Sequence, residues 1–260
     1  MTRPPGSAEI EIRHCTTLAE FEECVRIEHA TWGPELAEPT GMFVVARHTG
    51  GQVFAAFDGP KMVGFTMAIA GARDGRIFLH SHQTAVLPEY RDQGVGRKLK
   101  LFQREDALER GINLVEWTFD PLELKNAHFN LVRLGAVARR YIPNCYGITK
   151  SPLHHGIPTD RLVAEWWLDS ARVKAILENS PLTGKGPVER IPVPSNIGET
   201  KTQDPEAAIR IQTGLRGQFV RAFASGQAAT SIGSRVARVD YILEPASQIA
   251  GLRLPELREH

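Results

Sequence analysis

Arg91-Asp92-Gln93-Gly94-Val95-Gly96 sets a guanidinium beside two closely spaced glycines. An apolar run ends at Pro88 just before it, and Gly96 to Arg110 follows with helix-forming composition, Gly111 standing where that helix would end. A strand that runs into a glycine loop and opens a helix points unpaired N–H groups and the positive end of a dipole at one place, which is the chemistry of an anion site. A Walker A loop needs a Ser or Thr for magnesium after G-K, and here Gly96 is followed by Arg97 and Lys98. A dinucleotide fingerprint needs a third glycine where Leu99 stands, and a direct turn from strand to helix. Here Pro88 to Gln93 intervene, although Glu116 lies near the spacing of a ribose-binding acid.

Taken with its flank, Val86-Leu87-Pro88-Glu89-Tyr90-Arg91-Asp92-Gln93-Gly94-Val95-Gly96 resembles the R/Q-x-x-G-x-G/A motif of the GCN5-related (GNAT) acyltransferases and the V-x-P-x-Y/F-R that precedes it. The resemblance covers roughly residues 9 to 169. His80-Ser81-His82, Glu116 to Leu122, Asn126 to Asn130 and Leu134-Gly135 are similar to a bacterial group of acetyltransferases of unassigned substrate with a C-terminal extension. It implies acetyl-CoA as acyl donor, with no metal, and an amine of a small molecule or peptide as acceptor. The pantetheine would lie along Thr84, Ala85 and Val86, and an N–H near Val86 would polarise the thioester carbonyl. Arg91, Arg97 and the amides of Asp92, Gln93, Gly94, Val95 and Gly96 would hold the pyrophosphate, with Asn126 and Phe129 also assigned to the cofactor. Many members have glycine at Asp92, where a carboxylate repels phosphate unless it faces solvent.

The acceptor ammonium must lose a proton before it attacks, and His82, on one strand face with His80, is the candidate base. Glu116 and Asp120 flank the next strand, where carboxylates could draw a cationic amine or relay its proton. The tyrosine that reprotonates the leaving thiolate in many members is Leu131 here, so Tyr141 or Tyr146 would have to replace it. That departure keeps a second reading open, a non-catalytic CoA-binding or protein-interaction module on an inherited fold.

The elements around these residues follow from pattern. Thr17 to Glu20 reads as a capping box, with Leu18, Phe21, Val25 and Trp32 on one helical face. Val53–Phe57, Met62–Ala70 and Ile77–Leu87 read as a three-stranded meander, Leu114–Phe119 as the next strand, Asn126–Leu134 as a short helix, and Val137–Ile142 and Leu162–Leu168 as strands. The fold class is α/β (α+β), a mixed central sheet flanked by helices, with residues 1–170 as the acyltransferase domain and 171–260 as an α/β extension packed on it. Pro181 to Pro205 reads as a connection. Ala208, Ile211, Leu215, Phe219 and Ala222 form an apolar helical face that needs the first domain or a second subunit, which leaves a homodimer open, and Val239, Tyr241 and Leu243 alternate as a strand.

With 31 basic against 30 acidic residues the chain carries no field that would draw it to nucleic acid or to a membrane surface. Cys15, Cys24 and Cys145 make neither a disulfide framework nor a zinc pattern. Met1 to Ala8 lacks the apolar core of a secretory signal, so the expected location is the cytoplasm.

Overall fold

The computed structural model describes residues 9–148, 156–181, 188–249 and 251–252. Internal contacts divide the chain into Met1–Glu116 and Trp117–His260.

In the first unit the strand order is β1-β2-β3-β4-β5, comprising Glu11–His14, Gln52–Asp58, Lys61–Arg73, Arg76–Val86 and the start of Leu114–Phe119. All pairings are antiparallel except β4 with β5. The meander arises as expected, its two turns at Asp58–Lys61 and Arg73–Arg76. Helix α1, Leu18–Trp32, starts with the full reciprocal capping box between Thr17 and Glu20. Its buried face is Phe21, Cys24, Ile27 and Glu28, whereas Leu18 is 59% exposed and Val25 and Trp32 are half-buried. The short helix α2, Thr40–His48, had no clear sequence signal; it buries Phe43 and Ala46, with Phe43 edge-on to Phe65 at 5.6 Å. Each such buried aromatic contributes about 2–3 kcal/mol of transfer free energy. The third helix, α3, Val95–Glu109, turns Val95, Leu99, Lys100, Gln103 and Ala107 to the interior, so its buried stripe contains two polar residues.

In the second unit the order is β5-β7-β6-β9-β10-β8, with β6 Val137–Ile142, β7 Arg161–Trp167, β8 Glu189–Pro194, β9 Gln227–Arg235 and β10 Arg238–Pro245. The helix expected from Asn126 starts two residues earlier as α4, Leu124–His128, and widens to a π turn over Phe129–Arg133. Helices α5, Ala171–Leu177, α6, Ile197–Gln203, and α7, Pro205–Ala224, follow. The expected connection from 181 to 205 contains both β8 and α6: Ile191 and Val193 alternate with exposed residues, a strand signal hidden by the flanking prolines. Its residues 182–187 lie outside the described residues, as do Met1 to Ala8. The α7 face buries Ala208, Leu215, Phe219 and Ala222 together with Gln212, and Phe219 meets Tyr141 and Tyr241 at ring distances of 5.8 and 5.1 Å. The residues after 170 are thus built into one unit with β6 and β7.

Candidate active site

Strand β4 leads into the glycine loop through Leu87 and a 3₁₀ turn at Pro88–Tyr90. Tyr90 is buried and its hydroxyl donates to Asp58 at 2.9 Å, while Val95 is buried at the other end, so both feet of the loop are fixed in the core. Between them Gln93 donates to the Glu89 carbonyl at 2.7 Å and Arg91 Nε to the Val86 carbonyl at 3.1 Å. Gly94 has φ 81° and serves as the N-cap of α3 with no side-chain cap. The amides of Val95, Gly96 and Arg97 have no carbonyl of their own helix to reach, and they open toward space in which a Cβ on Gly94 would meet nothing within 4 Å. Arg97 Nε is buried without a hydrogen-bond partner among the described residues. Orphan amides, a helix N-terminus and an unsatisfied guanidinium nitrogen suit a multiply charged phosphate group. Asp92 is exposed at φ 60°, a left-handed conformation that glycine adopts more readily.

The neighbouring strand edge is open. In the first unit β4 and β5 pair only at Leu79–Val115 and His80–Glu116, while Thr84, Ala85 and Val86 pair with Thr66, Phe65 and Gly64 of β3 on the other side. The edge of β4 beyond His80 takes no ladder partner among the described residues of this unit, and an extended ligand could use it as an added strand.

His82 sits where the β3–β4 register shifts: Ser81 opposes Ala68 and Gln83 opposes Met67, leaving His82 as the extra residue of a bulge. Such bulges re-aim side chains. Its Nε2 lies 3.0 Å from Glu38 Oε1, with both side chains partly open to solvent, and its ring is 6.1 Å from that of His80. The Glu38 amide in turn donates to Glu28 Oε2 at 3.0 Å. Glu28 is fully buried; burial, with the Glu38 charge beside it, pushes its carboxyl up to about 7 against the hydrogen bonds from Glu38 N–H and Gln83.

The other expected chemical groups have structural partners. Glu116 is buried and ion-paired to Arg73 at 2.7 Å, which makes it the anion of a pair rather than a lone base. Tyr141 donates to Asp160 at 2.6 Å; burial and that carboxylate push its phenol well above the usual range, and Arg216 grips Asp160 through two 2.9 Å bonds. Tyr146 is exposed and shares a 2.8 Å hydrogen bond with Thr118. Asp120 accepts from Lys201 at 3.1 Å. Asn126 is exposed on α4, Phe129 is half-buried at the start of the π turn, and Leu131 is fully buried.

Residues 12–135 match the model of the acetyltransferase (GNAT) family. That stretch is a GNAT domain. Solved structures agree on the fold. The ribosomal-protein-S18-alanine N-acetyltransferase of Escherichia coli is 18% identical at a TM-score of 0.50, over 63% of this chain and 96% of its own. An Arabidopsis thaliana acetyltransferase bound to the bisubstrate analogue CoA-Ac-MVNAL is 13% identical at 0.50, over 60% and 97%, and NAA60 of Arabidopsis thaliana, also in complex with a bisubstrate analogue, is 14% identical at 0.51, over 61% and 98%. Among curated proteins no match was found.

Within the GNAT domain, sequence reading missed Glu38, Glu28 and Lys100. Glu28 had a signal, since it falls seven residues after Phe21 on the apolar face of α1. Glu38, in a loop before Pro39, had none.

Proposed function

We propose that the chain is an acyl-CoA-dependent N-acetyltransferase that moves an acetyl or related acyl group to an amine of a small molecule or peptide. The observation that carries this is the Gly94 loop, whose fixed feet and unpaired amides fit the CoA pyrophosphate. Arg91, Arg97 and the amides from Asp92 to Arg97 would hold the phosphates, and Thr84, Ala85 and Val86 would bond the pantetheine along the open edge of β4. Asn126 and Phe129 are assigned to the cofactor by family resemblance.

In this reading His82, in its neutral form, takes a proton from the acceptor ammonium; the amine nitrogen then bonds to the thioester carbonyl carbon, and as the C–S bond breaks the sulfur leaves with the electron pair while the nitrogen gives up its second proton, which balances the protonation of the thiolate. A backbone N–H near Val86 would stabilise the oxyanion, an effect worth a few kcal/mol. Tyr141 donates its hydroxyl to Asp160, and its raised pKa makes it a poor acid for the thiolate, which leaves Tyr146 as the other tyrosine that the resemblance offers. Neither nucleic acid nor membrane is required as a partner; among the described residues no helix is long and apolar enough to cross a membrane, and His/Cys/Asp/Glu groups able to hold a metal are not found. The reading places the protein in the cytoplasm with its acyl donor.

The buried Leu131 and the locked Tyr141 favour the second reading, a CoA-binding module without turnover. Calorimetry with acetyl-CoA, followed by thiol release in the presence of polyamine, aminoglycoside and short-peptide amines, separates the two. Binding with release supports the enzyme, binding without release the module, and no binding contradicts both.

A further inference from the structure

Three groups from separate stretches of chain converge at the β4 bulge: His82 on the bulge, Glu38 in the loop before α2, and Glu28 on the buried face of α1. The bulge has a particular consequence there. His82 and Ser81, adjacent in sequence, engage different elements, His82 the segment between α1 and α2 through Glu38, and Ser81 Lys100 of α3.

A carboxylate can only accept, so Glu38 fixes the proton of neutral His82 on Nε2 and leaves Nδ1 with the lone pair. Glu38 needs its own support, because it sits in a loop between two short elements. Glu28 supplies it by accepting the Glu38 backbone N–H, and this contact is fully buried at its Glu28 end.

We propose that Glu38 and Glu28 are positioning residues that hold His82 in its Nε2–H tautomer, so that Nδ1 is the atom that takes the proton of the acceptor ammonium. This rests on the acetyltransferase reading for its catalytic part. The proton balance is simple: the ammonium gives one proton to Nδ1, and the resulting imidazolium keeps Nε2–H on the Glu38 carboxylate, which neutralises the new charge. Glu28, sharing its site with the Glu38 carboxylate, stays largely protonated in slightly acid solution, so the cluster does not gather two negative charges around the base.

The other charged groups around His82 are few. His80 lies on the same strand, Glu116 of β5 is opposite His80 and neutralised by Arg73 of β3, and Lys100 is behind Ser81 on the α3 side. Among the described residues the Glu38 carboxylate is the one within hydrogen-bond distance of His82, at 3.0 Å.

The test uses the full chain with ¹⁵N-labelled histidine. In the wild type the His82 signals should show the Nε2–H tautomer, and Glu38→Gln, whose amide can turn a donor toward the ring, should populate the Nδ1–H tautomer as well. An Nδ1–H tautomer in the wild type, or an unchanged tautomer population in Glu38→Gln, overturns the proposal, and this arm needs no turnover. In activity, Glu38→Gln should reduce kcat roughly tenfold or more, within the range for general-base catalysis. Glu28→Ala should reduce kcat while acetyl-CoA affinity holds, and Glu28→Gln, which restores an acceptor for the Glu38 amide, should recover most of it. A wild type that releases thiol while both Glu38→Gln and Glu28→Ala match its profile overturns the positioning roles. A wild type that binds acetyl-CoA without releasing thiol instead removes the acetyltransferase reading on which the catalytic part stands.

Discussion

Lys100 Nζ lies 2.6 Å from Ser81 Oγ and 3.0 Å from Gln103 Oε1, with all three side chains buried between α3 and the sheet. Neither partner carries a charge, and burial pushes the ammonium down to about 7 from 10.5. Between those two values the unfolded chain holds the proton more often than the folded one, so stability rises with pH across this window and is lost as pH falls toward 7. Lys100→Met keeps the length and removes the charge. We expect it to raise Tm at pH 7 and to flatten the dependence of stability on pH between 7 and 10. Thermal melts of both proteins across that range check this, and parallel curves would contradict it.

Asp92→Gly should tighten acetyl-CoA binding severalfold. The position is left-handed at φ 60°, which glycine adopts without strain, and the change removes a carboxylate from beside the proposed phosphate site. Calorimetry at low and high salt checks it; an unaltered Kd at low ionic strength would mean that the carboxylate lies outside the ligand's field.

In the second unit Lys201 of α6 is 4% exposed at its side chain and pairs with Asp120 at 3.1 Å and Glu123 at 2.6 Å, while Tyr241 of β10 donates to the Pro121 carbonyl at 2.7 Å. The residues after 170 therefore clamp the segment between β5 and α4. Lys201→Met leaves Asp120 without its counter-ion and should cost about 1–3 kcal/mol in chemical denaturation, less than for a fully buried pair because Glu123 is half open to water. A loss under 0.5 kcal/mol would show the clamp to be unimportant.

The turn at the glycine loop was legible because its geometry is local: Gly94 takes a left-handed φ of 81°, a demand that shows directly in residue type. The meander was legible because apolar runs and turn residues alternate along it. The partners of Glu116 and Tyr141 were hidden for the opposite reason, since a reactive residue type says nothing of Arg73 or Asp160, which the fold brings in from 43 and 19 residues away. Glu38 meets His82 across 44 residues, and the bulge that aims His82 depends on pairing with β3. Helix α2 and strand β8 are short, so tertiary packing decides them more than their own periodicity.

In the proposed function CoA lies on the backbone of this loop, where a side chain at Gly96 would obstruct it. Unlike Gly94, Gly96 has an ordinary helical φ, and a Cβ there would meet only Val86 Cγ2, at 4.0 Å. Gly96→Val should therefore leave the fold intact while its side chain intrudes where the phosphates approach the amides. Calorimetry with acetyl-CoA on the folded variant should show affinity reduced at least tenfold from the wild type. An unchanged Kd in a variant with the wild-type melting temperature would place the cofactor elsewhere.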